Sequence, residues 1–526
     1  MGSLPSGSGD QQVHLSSNDT FDWETYIGPY KGLARSQRLI YLASYCPELR
    51  KSCSKAALEL IKDTTRDTST FMALVTIHNT RPDGSLIPAG ERIDTDSQWI
   101  QTTEARNAAD REKLELEMRN YQNNLIKESI RMAHRDLGDH FKSTGEYAEA
   151  LKSYTKTRDY CSTTEHVIEM CINVIEVSLR MENWSNVQTF VSKAEGVLES
   201  YVPSNSAGTR KLGSIGASGI VPQSKGGTTP GADAIGALFR AGGSSSAAAS
   251  EGNQSMARLM RGSSGSAEGE ASGSAQGSAK QLVAETGAKL KAASALAYMG
   301  QARYESAARL LVQLDPAFAT SLGDVVSPND VSIYVALCSM ATMERGTLKS
   351  QILDNTGYRS FLEHEPHARE VLEAFSTAQF ERMGTILDQH RSRHLLDPYL
   401  APHVSTLRTA LTRRALRQFF TPFDRIGIGR MATAFGWPAE RMTEELVACI
   451  QRGEFRNLPG KAADKGDARI NRLDNVLEYH AIDARQDLFD SAIHMGRLRC
   501  KDDRRLLLRM KLVEHGVVAR ASGAEP

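Results

Sequence analysis

Apolar residues between Asn123 and Lys193 recur at steps of three and four. Ile126, Ile130, Ala133, Leu137 and Phe141 fall on one face of a predicted helix. Gly145 breaks the pattern, and Tyr147, Ala150, Leu151 and Tyr154 begin a second stripe. The small Ala150 between aromatics suits two closely approaching helices, with the rings filling the groove beside it. A second hairpin is predicted from about Glu165 to Arg180 and from Trp184 to Lys193, turning at Glu182 and Asn183. Two successive helical hairpins predict a stacked α-solenoid, an architecture that presents long binding surfaces and has no built-in place for chemistry.

The same periodicity extends in both directions. Upstream, Arg35 to Ala43 and Leu49 to Ile61 read as helices, and Pro82, Gly84, Pro88 and Gly90 mark a loop. Asp94 or Asp96 is placed to cap a long charged helix starting near Trp99. Downstream, helices are expected from Ala284 to Ala297 and, across Gly300, from Tyr304 to Leu314. Further helical stretches lead to Phe420. Between the two blocks, Gly, Ser and Ala fill 46 of the 80 positions from 201 to 280. So few large apolar side chains cannot offset the entropy of ordering, and a disordered insert within one solenoid is expected.

The pattern changes again after Phe420. Ile428, Met431, Ala432 and Phe435 mark a short helix, Gly436-Trp437-Pro438 a turn, and Met442, Leu446, Val447 and Ile450 a second helix. Phe455 to Leu458 and Arg469 to Leu473 are expected to be short strands joined by the basic loop Pro459 to Asp467. Helix, turn, helix and two-stranded wing describe a winged helix. A long polar helix follows Gln486, with Leu506, Met510, Val513 and Val517 as a stripe for packing in a bundle.

Composition narrows the function classes. Lys plus Arg equals Asp plus Glu at 63 each, so no global field draws the chain to nucleic acid or membrane. From Arg391 onward, 24 basic residues face 17 acidic ones, a surplus that ordinary solvated helix faces accommodate. Seven cysteines without a C-x-x-C pair suggest reduced thiols and a cytoplasmic and nuclear setting. The opening MGSLPSGSGDQQ lacks a basic segment followed by an apolar core, so a secretory signal is not expected. No run approaches the ~18 to 20 apolar residues of a membrane span.

Candidate chemistry is sparse. Gly427-x-Gly429-x-x-Ala432 matches a dinucleotide fingerprint in letters but lacks the preceding apolar strand and closing acidic residue. His364 with His367, and His390 with His394, have helical metal-ligand spacing but no H-E-x-x-H context. There is no H-x-H, G-x-S-x-G or G-x-x-x-x-G-K-[ST]. No catalytic, metal or cofactor residue is expected. Nucleic-acid binding through the winged helix is disfavoured because its second helix carries Glu440, Glu444 and Glu445, which repel phosphate.

The stretch IKESIRMAHRDLGDHFKSTGEYAEALKSYTKTRDYC, followed by HVIEMCINVIEVSLRMENWSNVQTFVSKAE, resembles the subunit-one family of the COP nine signalosome. YKGLARSQRLIYLASYCPELR and RMATAFGWPAERMTEELVACIQRGEF support the resemblance, which runs from about Tyr30 to the C-terminus apart from the insert. It implies an all-α fold, a TPR-like solenoid followed by a PCI domain, meaning helices capped by a winged helix with a small β-wing. The domains then read as a tail over 1–20, a helical-repeat arm over 21–200, the insert over 201–280, further repeats over 281–400, the winged helix over 401–475 and a helical tail over 476–520. The resemblance also implies a non-catalytic scaffold, with the metalloprotease site in another subunit. Winged helices would meet edge to edge, C-terminal helices would gather in a bundle, and the complex would remove the ubiquitin-like modifier NEDD from cullins, regulating cullin-RING ligases. Candidate contact residues are Phe455, Arg456, Asn457, Arg469 and Ile470 on the wing, and Leu506, Met510, Val513 and Val517 on the final helix. The related proteasome-lid subunit is the alternative scaffold, and a winged-helix nucleic-acid-binding regulator the less favoured third reading.

Overall fold

The computed structural model describes Val13 and residues 21–80, 85, 88, 92–201, 272–456, 458, 466–481 and 484–516. The expectations for most of the Gly/Ser/Ala-rich insert, most of the basic wing loop, Asn457 and Val517 fall outside those residues. Two compact units divide the chain: residues 1–372 with 386–407, and residues 373–385 with 408–526.

The first unit is helical. It begins with α1 (Trp23–Ile27), α2 (Gly32–Tyr45), α3 (Arg50–Thr64) and α4 (Thr68–Asn79), followed by the 27-residue α5 (Ser97–Asn123). Asp96 caps α5 by accepting a hydrogen bond from the Trp99 amide at 3.1 Å, a contact that satisfies one otherwise orphaned donor. The predicted hairpins are α6 (Lys127–Ser143) with α7 (Tyr147–Lys156), and α8 (Thr164–Arg180) with α9 (Trp184–Tyr201). Ile130, Ala133, Leu137 and Phe141 are buried as the spacing requires. Ile126 is the exception: it occupies the N-cap of α6 and is exposed, because the helical phase has not yet begun there.

Close helix approach is fixed by small residues. Ala150 is fully buried. A Cβ at Gly138 would lie 2.6 Å from the Tyr154 ring, whose hydroxyl donates to Asp139 at 2.5 Å. Gly145 adopts φ +82°, and a Cβ there would collide with the Asp67 carboxylate; the turn needs glycine both for its handedness and for that contact.

Beyond the insert, α10 (Ser272–Gly300) and α11 (Tyr304–Val312) resume the stack. The helix reaches back to Ser272, inside the stretch expected to be disordered; the apolar pattern that sequence reading relied on starts later. α10 packs directly on α9. Gly300 lies against the Trp184 indole, where a Cβ would have no room, and Gln301 Nε2 donates to Gln188 Oε1 at 3.2 Å. The segment between α9 and α10 therefore interrupts one continuous repeat.

α12 (Pro328–Thr342) is buried on nearly all sides. It carries Asp330 into a buried polar cluster. Asp330 accepts from Arg38 at 2.8 Å, from Arg393 at 3.3 Å and from the Tyr30 hydroxyl. Arg38 also lies over the Tyr30 ring at 3.8 Å. These contacts tie α2 and the turn that follows α1 to residues about three hundred positions later in the chain.

The second unit has an aromatic core. Phe380 stacks on Phe435 at 4.9 Å, and Phe420 meets Phe455 edge-on at 5.6 Å. Strand β1 (Arg425–Gly427) leads into the helices Ile428–Phe435 and Ala439–Gln451, separated by left-handed Gly436. The wing is the hairpin of β2 (Gly466–Asn471) and β3 (Val476–Ala481). The antiparallel sheet runs β1-β3-β2, with Ile470 opposite Leu477 and Ile426 opposite the same Leu477. Two expectations are corrected. Phe455 is in a turn, not a strand, because its ring is drawn into the core against Phe420. The wing's second strand is Val476–Ala481, with β1 as an unforeseen third. Gly427 ends the antiparallel strand β1 and Gly429 lies in the helix that follows, so the dinucleotide-like letters have no βαβ context. The chain ends its described part in a 31-residue helix, Ala484–Glu514.

Candidate partner-binding surfaces

The wing places β3 in the centre of the sheet, so the outer edges of β1 and β2 have no strand partner among the described residues. Such an edge offers backbone donors and acceptors to another chain. On β2, Arg469 is exposed and Ile470 half-buried. Arg456 is exposed beside the wing and pairs with Asp467 at 3.4 Å. Arg425 bridges Asp474 and Glu478 at 2.9 Å each, holding the hairpin tip against β1. Phe455 does not join this surface: it is fully buried, so it is a core residue rather than a contact residue.

The terminal helix is the second surface. Leu506, Met510 and Val513 are 60%, 60% and 73% exposed. Leu488, Phe489, Ile493 and Met495 extend the exposed apolar surface into the helix's first half. Sequence reasoning missed this half. The charged run from Arg497 to Arg505 interrupts the stripe, and a search for unbroken periodicity stops there. Clusters of exposed large apolar side chains are the kind of surface that interaction sites present.

The interior offers a contrast. Three of the four histidines singled out by spacing come together, His367 stacking on His390 at 4.2 Å and lying tilted to His394 at 5.7 Å. His367 also meets Glu365 at 3.2 Å. Among the described residues no group of three or more His, Cys, Asp or Glu has metal-holding geometry. Asp397, nearby, accepts from the Tyr334 hydroxyl at 2.6 Å, and burial pushes its carboxyl above the ordinary range. A shifted carboxylate of this kind often marks catalysis, but Asp397 is sealed from solvent, so it helps hold helices together. Burial likewise pushes the Cys53, Cys171, Cys338 and Cys449 thiols up to about 12, which leaves them inert. No helix of the described residues is long and apolar enough to cross a membrane.

The described residues form a helical-repeat stack and a winged helix with a small wing. Residues 387–456 match the PCI domain family, and residues 96–351 match the family described as 26S proteasome subunit RPN7. Along nearly its whole length the chain resembles COP9 signalosome complex subunit 1. The Arabidopsis thaliana protein of that name is 28% identical over 511 residues, covering 97% of this chain and 93% of the relative. The Drosophila melanogaster COP9 signalosome complex subunit 1b is 27% identical over 561 aligned positions, covering 98% and 90%. The 26S proteasome non-ATPase regulatory subunit 6 of Oryza sativa is 25% identical over 209 residues, covering 40% of this chain and 50% of its own.

Proposed function

We propose that the chain is a non-catalytic scaffold subunit of a COP9 signalosome, acting in the cytoplasm and nucleus. In that role it supports removal of NEDD from cullins, with the hydrolytic site on another subunit, and so regulates cullin-RING ubiquitin ligases. The carrying observation is the end-to-end match to the signalosome relatives, set against a match to the proteasome relative that stops at part of each chain. The mechanism is positional. The β2 edge would accept a neighbouring wing by strand addition. The stripe of Leu506, Met510 and Val513 would bury among partner helices, each side chain contributing about 2 kcal/mol on full burial.

The test is Leu506→Asp combined with Met510→Asp. Both residues are exposed in the chain alone, so its circular dichroism spectrum and melting should not change. Co-purification with partner subunits and the associated removal of NEDD from a cullin should drop at least about tenfold. Undiminished co-purification of the folded double mutant refutes the helical-bundle role.

A further inference from the structure

Five turns between helices share one geometry: a residue with left-handed backbone, then one more residue, then the next helix. The left-handed residues are Leu125, Gly145, Glu182, Ala302 and Ala378, with φ of +53°, +82°, +55°, +59° and +62°. The residues after them, Ile126, Glu146, Asn183, Arg303 and Gln379, stand immediately before α6, α7, α9, α11 and the helix Phe380–Gln389. Four of these turns use a small or polar residue at both positions. The turn between α5 and α6 uses a large aliphatic residue at both.

Local energetics oppose that choice. A left-handed backbone is costly for a residue such as leucine. Ile126 is the N-cap of α6 and makes no side-chain cap hydrogen bond, and isoleucine is among the poorest residues for that position. Asparagine tolerates the first conformation and caps well in the second. Asn123 and Asn124 lie directly upstream, yet the chain sets Leu125 and Ile126 at the two positions. Packing gives little back. Leu125 stands where an apolar residue can staple onto Ile130, but it is 80% exposed, and Ile126 is 51% exposed. Gln122 to Glu128 are exposed without a break. Local strain of this kind, uncompensated within the fold, concentrates at sites of contact.

We infer that Leu125 and Ile126 form an anchor that inserts into an apolar pocket of a partner protein within the same complex. Two adjacent aliphatic side chains are the centre of the contact, and the amides of Gln122, Asn123 and Asn124 are its uncharged rim, the anatomy of a protein–protein contact. The local charges cancel: Lys127 stands beside Glu128, which pairs with Arg131 at 2.7 Å. The turn therefore lacks the cations that nucleic acid or an anionic lipid surface would require. The anchor is also ordered in advance. The Asn124 amide donates to Asn120 at 3.1 Å, the Leu125 amide to Gln122 at 3.2 Å and the Ile130 amide to Ile126 at 3.0 Å, so little backbone freedom is lost on binding. The partner's membership of the complex rests on the scaffold reading. The inference goes beyond that reading by placing a contact on the repeat arm rather than on the wing or the terminal helix.

The experiment compares the isolated full chain with the complex purified from its own cells. Leu125→Cys and, as the matched control from an equivalent turn, Ala302→Cys are alkylated with a small maleimide, and the rate at each position is read by mass spectrometry. Alkylation at position 125 should slow at least about tenfold in the complex, and at position 302 it should stay within about twofold. The second variant, Leu125→Gly with Ile126→Asn, gives the turn the residues its backbone favours. Its isolated chain should melt no lower than the parent, while one protein of the purified set should be retained at least about tenfold less. A residue kept for folding alone would show the opposite, a lower melting temperature with the set intact. Equal slowing at both positions, or an intact set with the second variant, would overturn the inference. So would slowing at position 125 in the isolated chain as its concentration rises, which means a second copy, or on adding phosphatidylcholine vesicles, which means a membrane. A complete set in which position 125 reacts as fast as in the isolated chain overturns this inference and leaves the scaffold reading standing. Recovery of the unmodified chain without partners overturns both.

Discussion

Replacing Asp330 by Asn strikes the most buried charge cluster among the described residues. The Arg38 and Asp330 side chains are both fully buried and 2.8 Å apart. The amide keeps the shape and one acceptor but leaves Arg38 as an uncompensated charge. No other carboxylate bonds Arg38 among the described residues, and its second terminal nitrogen, Nη1, is already buried without a partner. Arg393 is better placed, because Glu365 remains 3.5 Å from it. Breaking a buried pair by removing one partner costs about 3–5 kcal/mol, most of it the desolvation of the charge left behind. For a unit of this size that corresponds to a fall in melting temperature of roughly 5 °C. The cause can be separated from simple loss of contacts by adding Arg38→Met, which removes the stranded charge while filling similar volume. The double variant should melt higher than Asp330→Asn alone. Thermal unfolding followed by circular dichroism at about pH 7 reads both. A single variant within about 1 kcal/mol of the parent, or a double variant less stable than the single, would refute the claim that this ion pair clamps α2 to the later helices.

Other predictions follow from the same packing. Gly138→Ala should destabilise the arm by about 1–3 kcal/mol, because its Cβ meets the buried Tyr154 ring; denaturant titration would show a lower midpoint at unchanged slope. Burial holds the His134, His140 and His403 imidazoles below their ordinary range. In that situation the unfolded chain takes up protons that the fold resists, so stability is full above about pH 6.5 and is lost as pH falls through the depressed folded values. Melting temperature measured from about pH 7.5 down to about 5 should fall, and His134→Phe, which keeps a ring beside Tyr160, should flatten the slope. Removing the α5 cap with Asp96→Ala should cost about 1 kcal/mol, read by the same melting curves.

The repeat arm was legible because its helices are two-faced. Positions such as Ala133, Leu137 and Ala150 announce their burial through a 3.6-residue period, and Gly145 announces its turn. The winged helix was legible for the same reason as far as Ile450. The wing was not. Phe455 looks like a strand residue, yet a single bulky ring is captured by the core wherever a gap such as the one beside Phe420 exists. β1, three residues long, carries no periodic signal. The clamp between Arg38 and Asp330 was also invisible, since each residue alone reads as a surface charge and their pairing spans 292 positions. The convergence of His367 with His390 was hidden similarly. The final helix was half legible: its last turns keep an unbroken stripe, whereas Leu488, Phe489 and Ile493 are cut off from it by the cationic run.

The central claim concerns the company this chain keeps. The most direct measurement is purification of the tagged chain from its own cells under mild salt, with mass spectrometry of the eluate and an assay for removal of NEDD from a cullin. The account predicts a stoichiometric set of signalosome subunits carrying that activity, retained by the full chain and lost with Leu506→Asp and Met510→Asp. Recovery of proteasome-lid subunits instead, or of the chain bound to nucleic acid without protein partners, would contradict it.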